Sequence, residues 1–202
     1  ERNTMTYTIV LAEPEGTVLV GVVSGSLAVG SRVPWARACI GAVATQGYTN
    51  VTLGPLVLSL LERGYSSEEA VNLALSTDPE PSRRQLLVFS CRGDGYAYTG
   101  VKCPPERGAK IGIGFVCGGN MLSSGKVIEA MYRVLCTTSD LHPIQRIMKA
   151  LRAGHNAGGD RRGDRSAAVL YAEPYSSPIS IRVDYSLDPL KELEEKVLHM
   201  MT

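Results

Sequence analysis

The residues best suited to chemistry lie in one stretch, 155–166, in which five of twelve residues are charged and three are glycines. Two adjacent glycines, Gly158 and Gly159, allow left-handed backbone torsions that expose peptide N–H groups. The charges alternate in sign from Asp160 to Arg165, which favours an ion-paired network over a repelling tail. Such a pattern is typical both of a structural ion-pair corner and of the wall of a polar site, and the two interpretations stay open.

The elements that must position this stretch are a helix over 140–154 and a buried strand that begins at residue 167. Runs rich in β-branched and aromatic residues predict strands over 6–12, 17–24, 39–46, 85–91, 96–101, 110–117, 167–172 and 179–184. Apolar spacing predicts helices over 53–63, 66–78, 123–136, 140–151 and from 188 onward. The second helix opens with Ser66 and Glu69 at the spacing of a capping box.

The order of these elements predicts the fold class. Strands follow one another as hairpins, which favours antiparallel sheets, and helices arrive in clusters suited to outer layers. We therefore expect an α+β protein built as a four-layer αββα sandwich of two stacked, mainly antiparallel sheets. Residues 6–202 are expected to form a single domain, and residues 1–5 an N-terminal extension or an expression remnant.

The composition argues against several kinds of partner. The net charge of +1 gives no reason to expect nucleic acid, and no apolar run approaches the roughly 20 residues of a membrane span. No secretion signal is visible, so we expect a cytoplasmic protein without a membrane partner.

Five cysteines and three histidines are scattered through the chain without metal-ligand spacing. We expect no metal site and no cofactor. Apolar surroundings predict that Cys39, Cys91, Cys117 and Cys136 are buried, reduced thiols. A disulfide among the five cysteines stays open, because spacing alone does not decide it.

Several motifs occur together in a characteristic order. They are VPWARA at 33–38, GAVATQ at 41–46, GGNML at 118–122, AGGDRRG at 157–163 and SAA at 166–168. Their joint occurrence resembles the DUF1028 family, uncharacterised proteins assigned to the N-terminal-nucleophile (Ntn) hydrolase superfamily. The resemblance runs from about Met5 to the final helix. It implies the αββα sandwich and suggests amide-bond hydrolysis.

The resemblance implies a role for Thr6. In an Ntn hydrolase the first residue of the mature chain is the nucleophile and its α-amine is the general base, because the amine pKa lies near neutrality. Thr6 becomes terminal if Met5 is the initiator and is removed, although the chain as given begins with Glu1. Thr6 also suits an ordinary place in an antiparallel strand.

Two further residues are candidate catalytic groups. Asn120 follows two glycines at a strand end, so its amide is suited to donate to an oxyanion or merely to complete a turn. Asp160 is suited to orient the terminal amine or to hold an ion pair. The chain departs from proteasome-type members because it has no lysine before Lys102, and Gly25 stands where family members often have lysine or arginine.

Four residues are candidates for substrate binding. Gln46 ends a strand and is suited to bind a substrate amide, or else to complete the sheet. Arg161 and Arg162 are suited to pair with a substrate carboxylate, and Ser166 to relay a proton. Each also has a purely structural interpretation, in the ion-pair cluster or at the start of a strand.

Two functions follow from these residues. The first is an Ntn-type amidohydrolase or peptidase that acts on a small amide or peptide through Thr6. The alternative is a non-catalytic protein that binds a small ligand or serves as an assembly subunit on the same fold. We expect a homodimer or a higher homo-oligomer.

Overall fold

The computed structural model describes residues 3–4 and 6–201, with side chains from Thr6 onward. The strands are β1 (Asn3–Thr4), β2 (Thr6–Ala12), β3 (Val18–Ser24), β4 (Pro34–Arg37), β5 (Gly41–Tyr48), β6 (Arg84–Ser90), β7 (Gly95–Thr99), β8 (Gly108–Gly112), β9 (Phe115–Gly119), β10 (Ser166–Ala172) and β11 (Ile179–Val183). The helices are α1 (Leu53–Glu62), α2 (Ser67–Ser76), α3 (Lys126–Thr137), α4 (Pro143–Asn156) and α5 (Pro189–Met201).

The strands form two antiparallel sheets. Sheet A has the order β1-β5-β6-β7, with β4 also paired to β5, and sheet B has the order β11-β10-β3-β2-β9-β8. The chain therefore passes from sheet A at Thr4 to the middle of sheet B at Thr6.

Side-chain alternation along the strands builds the layers. Along β2, Tyr7, Ile9 and Leu11 enter the core beneath α3, α4 and α5, whereas Val10 and Ala12 enter the core between the sheets. A third core joins sheet A to α1 and α2. The predicted four-layer αββα sandwich is confirmed.

Local sequence explains how the helices dock. The predicted capping box begins α2: the Ser66 hydroxyl accepts the Glu69 N–H at 3.2 Å, and the Glu69 carboxylate accepts the Ser66 N–H at 2.8 Å. On β3, any side chain at Gly21 would collide with Ile147 of α4, so glycine allows this helix to lie close against sheet B.

One strand prediction needs correction, and the edge strand β4 was missed. The run 110–117 is not one strand, because it contains the turn between β8 and β9, where Gly114 takes a φ of +81°. The first of the two strands, β8, accordingly begins before this run, at Gly108. The edge strand β4 was not predicted, since it begins with proline, which edge positions tolerate.

The prediction that four cysteines are buried is wrong for three of them. Cys39 and Cys136 are exposed and Cys91 is half-buried, while Cys117 is buried. Burial raises the pKa of the Cys117 thiol to about 12, so that thiol is inert at neutral pH. Within residues 3–4 and 6–201, no helix combines the length and apolar character that crossing a membrane requires.

Candidate functional site

Four polar residues stand side by side across the middle of sheet B, and we call them the polar row: Asn120, Thr6, Ser24 and Ser166. Ser24 pairs with Thr6 on one side and Ser166 on the other. The Thr6 N–H donates to the Asn120 carbonyl at 3.2 Å, and the Asn120 N–H donates to the Thr6 carbonyl at 3.0 Å. All four residues are fully buried. Three of the predicted site residues, Thr6, Asn120 and Ser166, therefore meet in one row.

A chain of buried amides links the polar row to sheet A. The Gln85 amide nitrogen donates to the carbonyls of Gly119 at 3.0 Å and Gly108 at 3.2 Å. Because carbonyls only accept, this contact fixes which end of the Gln85 amide is nitrogen. Gln85 Oε1 then accepts from Gln46 Nε2 at 2.7 Å and from Asn120 Nδ2 at 3.0 Å.

The fixed Gln85 amide sets the orientation of its neighbours. Gln46 must turn its oxygen the other way, where Oε1 accepts the Thr8 hydroxyl at 2.6 Å. Asn120 uses one N–H on Gln85, and its Oδ1, although buried, has no hydrogen-bond partner in the part of the chain that the structure describes. A buried acceptor without a partner is costly, so a hydrogen-bond donor that reached Asn120 Oδ1 would stabilise this end of the amide chain.

Gln85 was missed by sequence reasoning, although a signal exists. In the strand Arg84–Ser90, Gln85 and the last residue, Ser90, are the uncharged polar residues. Alternation places Gln85 on the inter-sheet face with Leu87 and Phe89. A polar residue on the buried face of an apolar strand needs partners inside the protein, which is the observation that would have found it.

The charged stretch 155–166 meets the same end of sheet B. Asp160 is 2% exposed, and its carboxylate accepts the Gly25 N–H at 2.8 Å, directly after Ser24 of the polar row. Arg162 binds the carboxylate in bidentate fashion, Nε to Oδ1 at 3.0 Å and Nη2 to Oδ2 at 2.8 Å. A Cβ at position 25 would lie 2.8 Å from this carboxylate, so glycine at this position leaves the space that Asp160 occupies.

Main-chain contacts join the two glycine-rich motifs, 118–122 and 157–163. Asp160 forms an isolated β-bridge with Leu122, and the Arg161 N–H donates to the Met121 carbonyl at 3.1 Å. Gly158 and Gly159 take the expected left-handed torsions, with φ of +118° and +52°. The segment that carries Asn120 and the segment that carries Asp160 are thus fixed to one another by main-chain hydrogen bonds.

A second buried acid, Asp164, supports this corner from the helical side. One carboxylate oxygen, Oδ2, accepts the Tyr7 hydroxyl at 2.6 Å and lies 2.7 Å from His155 Nδ1, while Oδ1 accepts the Asp160 N–H at 3.2 Å. Burial and then the adjacent Asp164 charge hold the pKa of Tyr7 well above its ordinary range. Asp164 therefore ties the loop to both β2 and the last turn of α4.

The remaining predicted site residues are of two kinds: Ser166 and Gln46 are buried in structural contacts, whereas Arg161 is open to solvent. The Ser166 hydroxyl donates to the Ser26 carbonyl at 2.6 Å and accepts the Val29 N–H at 3.2 Å, so it holds a loop. Gln46 is 1% exposed inside the amide chain. Arg161 is exposed, and its guanidinium has no hydrogen-bond or ion-pair partner among residues 6–201.

The fold and this site define an αββα sandwich with a buried polar row at one end of its stacked sheets. The chain belongs to DUF1028, a family of unknown function, which it matches over residues 6–193. It is similar to the crystal structure of protein SPO2555 from Silicibacter pomeroyi, a DUF1028 protein, with 31% identity, a TM-score of 0.91, and coverage of 98% of this chain and 87% of that one.

A weaker likeness joins the chain to Anbu (ancestral beta-subunit) from Yersinia bercovieri. The TM-score is 0.43 and the identity 12%, over 97% of this chain and 94% of that one. No curated protein matches the chain. The DUF1028 match and the likeness to SPO2555 establish the family and the fold.

Proposed function

We propose that this protein is an Ntn-type amidohydrolase or peptidase with Thr6 as its nucleophile. The observation that carries the proposal is the place of Thr6 at the start of a central strand, between Asn120 and Ser24 in the polar row. Asp160 adjoins the row through Gly25. A nucleophile, an amide and a buried acid thus share one end of the sheets.

The chemistry requires the Thr6 nitrogen to be an amine. The Thr6 hydroxyl attacks a substrate carbonyl carbon, and the α-amine takes its proton and passes it to the leaving amine. Water then hydrolyses the resulting ester and regenerates the hydroxyl. The Asn120 carbonyl, 3.2 Å from this nitrogen, would orient the amine, and the Asp160 charge would stabilise its protonated form.

The proposal also requires removal of the residues that precede Thr6. In the chain described, β1 pairs Asn3 with Tyr48 and Thr4 with Gly47 on sheet A, immediately before β2 begins. With β1 in place the Thr6 nitrogen belongs to a peptide bond, so only a chain that begins at Thr6 is expected to be active.

The substrate is a small amide or peptide in this proposal. Arg161 is exposed on the loop that adjoins the polar row, so it is the residue we assign to a substrate carboxylate. Arg162 stays on Asp160 and keeps that acid in position.

A non-catalytic role is the second candidate, and one observation favours it. The Asp160 carboxylate is already satisfied by Arg162 and the Gly25 N–H, as in a purely structural corner. In this case the protein binds a small ligand or acts as a subunit of a homo-oligomer, and removal of the residues before Thr6 produces no activity.

The test uses a chain released at Thr6 from a ubiquitin fusion, beside the full chain. Both are incubated with a library of small amides and dipeptides, and amine release is followed by mass spectrometry. We expect turnover only from the chain that begins at Thr6, retention in Thr6→Ser, and loss in Thr6→Ala. Equal turnover by the full chain, or turnover by Thr6→Ala, contradicts the proposal.

A further inference from the structure

A cleft of about 900 Å³ opens at the end of the sheets opposite the polar row. It lies where β2, β6 and the turn between β8 and β9 end, beneath the last turns of α3. Its walls are largely apolar and include Phe89, Ile111, Phe115, Tyr132 and Leu135. The volume and apolar lining are those of small-molecule sites.

One buried arginine reaches this cleft. The Arg146 side chain is 5% exposed; Nη1 donates to Glu13 Oε1 at 2.9 Å, and Nη2 donates to the Leu135 carbonyl at 3.3 Å. Its Nε has no hydrogen-bond partner in the part of the chain that the structure describes. A buried guanidinium donor without an acceptor is costly. Nε has almost no accessible surface in this structure, so an acceptor in the cleft reaches it only when the side chains that cover Arg146 move aside, and the gain in hydrogen bonding favours that movement.

The charges around Arg146 select the kind of acceptor. Glu13, which also lines the cleft, already neutralises the arginine, so a ligand carboxylate would meet an acid as well as a base. A neutral amide suits the pair better, because its oxygen accepts from Arg146 and its N–H donates to the Glu13 carboxylate.

We propose that this cleft binds a small neutral amide with an aromatic or branched apolar body. The amide group contacts Arg146 and Glu13 at the base of the cleft, and the apolar body packs on Phe89, Phe115 and Tyr132. Ile113 lies at the rim and is 97% exposed, which extends the apolar surface at the mouth. The site is separate from the polar row and does not depend on the hydrolase proposal.

The test titrates the full chain with three probes of similar shape: benzamide, acetophenone and benzoate. Binding is followed by ligand-observed nuclear magnetic resonance. We expect saturable binding of benzamide, weaker binding of acetophenone because it lacks the N–H donor, and binding of benzoate weaker by at least about tenfold.

Two variants locate the site. Arg146→Lys keeps the charge that faces Glu13 but removes Nε, and we expect benzamide binding to weaken about tenfold. Ser139→Trp changes an exposed lining residue, leaves Arg146 in place, and is expected to block all three probes. Equal affinity for the three probes, no saturable binding to the folded chain, or binding unchanged in Ser139→Trp overturns the proposal.

Discussion

The two ends of the stacked sheets are built from the same strands and differ in almost every physical respect. Thr6 and Ala12 begin and end β2, about 20 Å apart. At the Thr6 end the space between the sheets is filled by hydroxyls and amides that bind one another. At the Ala12 end it is lined by apolar side chains and opens into a cleft.

Burial of polar groups at the Thr6 end imposes a fixed arrangement that the apolar end does not need. Polar groups that are closed off from water need specific partners, so the amide chain has one orientation, fixed by the backbone carbonyls of Gly108 and Gly119. Apolar walls have no such requirement and leave room for a ligand. A catalytic group gains from the first kind of environment, whereas a binding cleft is made by the second.

The largest effect is expected from a matched pair of substitutions on β6. Gln85→Met keeps the volume but leaves Gln46, Asn120 and the carbonyls without their partner, and we expect it to lower the free energy of unfolding by about 3 kcal/mol. Leu87→Met, two residues nearer the apolar end, should cost about 1 kcal/mol. Urea denaturation measures both, and equal costs would break the contrast between the two ends.

Asp160→Asn is expected to have the next largest effect. It removes the charge that holds Arg162 and weakens the contact with the Gly25 N–H, for a loss of about 2 kcal/mol in stability. Asp184→Asn is the control, because its pair with Arg182 is exposed and should contribute less than about 0.5 kcal/mol. A loss no greater than that of the control would show that the corner is not held by this acid.

Tyr7→Phe tests the contribution of a buried tyrosine to the pH dependence of stability. Because burial raises the pKa of Tyr7, the unfolded chain loses this phenolic proton first, and stability should fall as pH rises above about 10. The variant should cost about 1.5 kcal/mol at pH 7, where the hydrogen bond to Asp164 is lost, and should show a shallower alkaline decline.

The control for this pH experiment is Tyr185→Phe, which changes an exposed tyrosine. Stability measured from pH 8 to 11 should follow the same course in this variant as in the unaltered protein. If stability falls as steeply with rising pH in Tyr7→Phe as in the unaltered protein, groups other than Tyr7 cause the decline.

The smallest effect on stability is expected from Arg161→Ala. The side chain is exposed and has no partner within residues 6–201, so the free energy of unfolding should change by less than about 0.5 kcal/mol. Under the hydrolase proposal the same variant raises KM for substrates with a carboxylate. A large loss of stability would place this guanidinium in the structural corner instead.

The sequence predicted the fold well because alternation and helical spacing are local signals. The strand of Thr6, the capping box of Ser66 and the left-handed torsions at Gly158 all follow from neighbouring residues. It failed for the burial of Cys39, which depends on distant contacts. It also failed for the turn within the glycine-rich run 110–117, because glycine alternating with apolar residues has the same pattern in one strand as in a tight hairpin.

The candidate site shows the same division. Types and spacing indicated Asn120 and Asp160, but not that Gln85 joins Asn120 to Gln46, since these residues meet only when two sheets stack. For Arg162 the sequence left substrate binding and an ion pair open, and the folded loop shows its bidentate contact with Asp160. Whether any of these residues acts on a substrate stays a prediction.

One measurement tests most directly whether the polar end is a catalytic site. The chain released at Thr6 is treated with a peptide α′,β′-epoxyketone, which closes a ring with both the hydroxyl and the α-amine of a terminal threonine, and the adduct is mapped by mass spectrometry. We expect one adduct, on Thr6, in the released chain and none in the full chain or in Thr6→Ala. An unmodified Thr6 in a folded, released chain would contradict it.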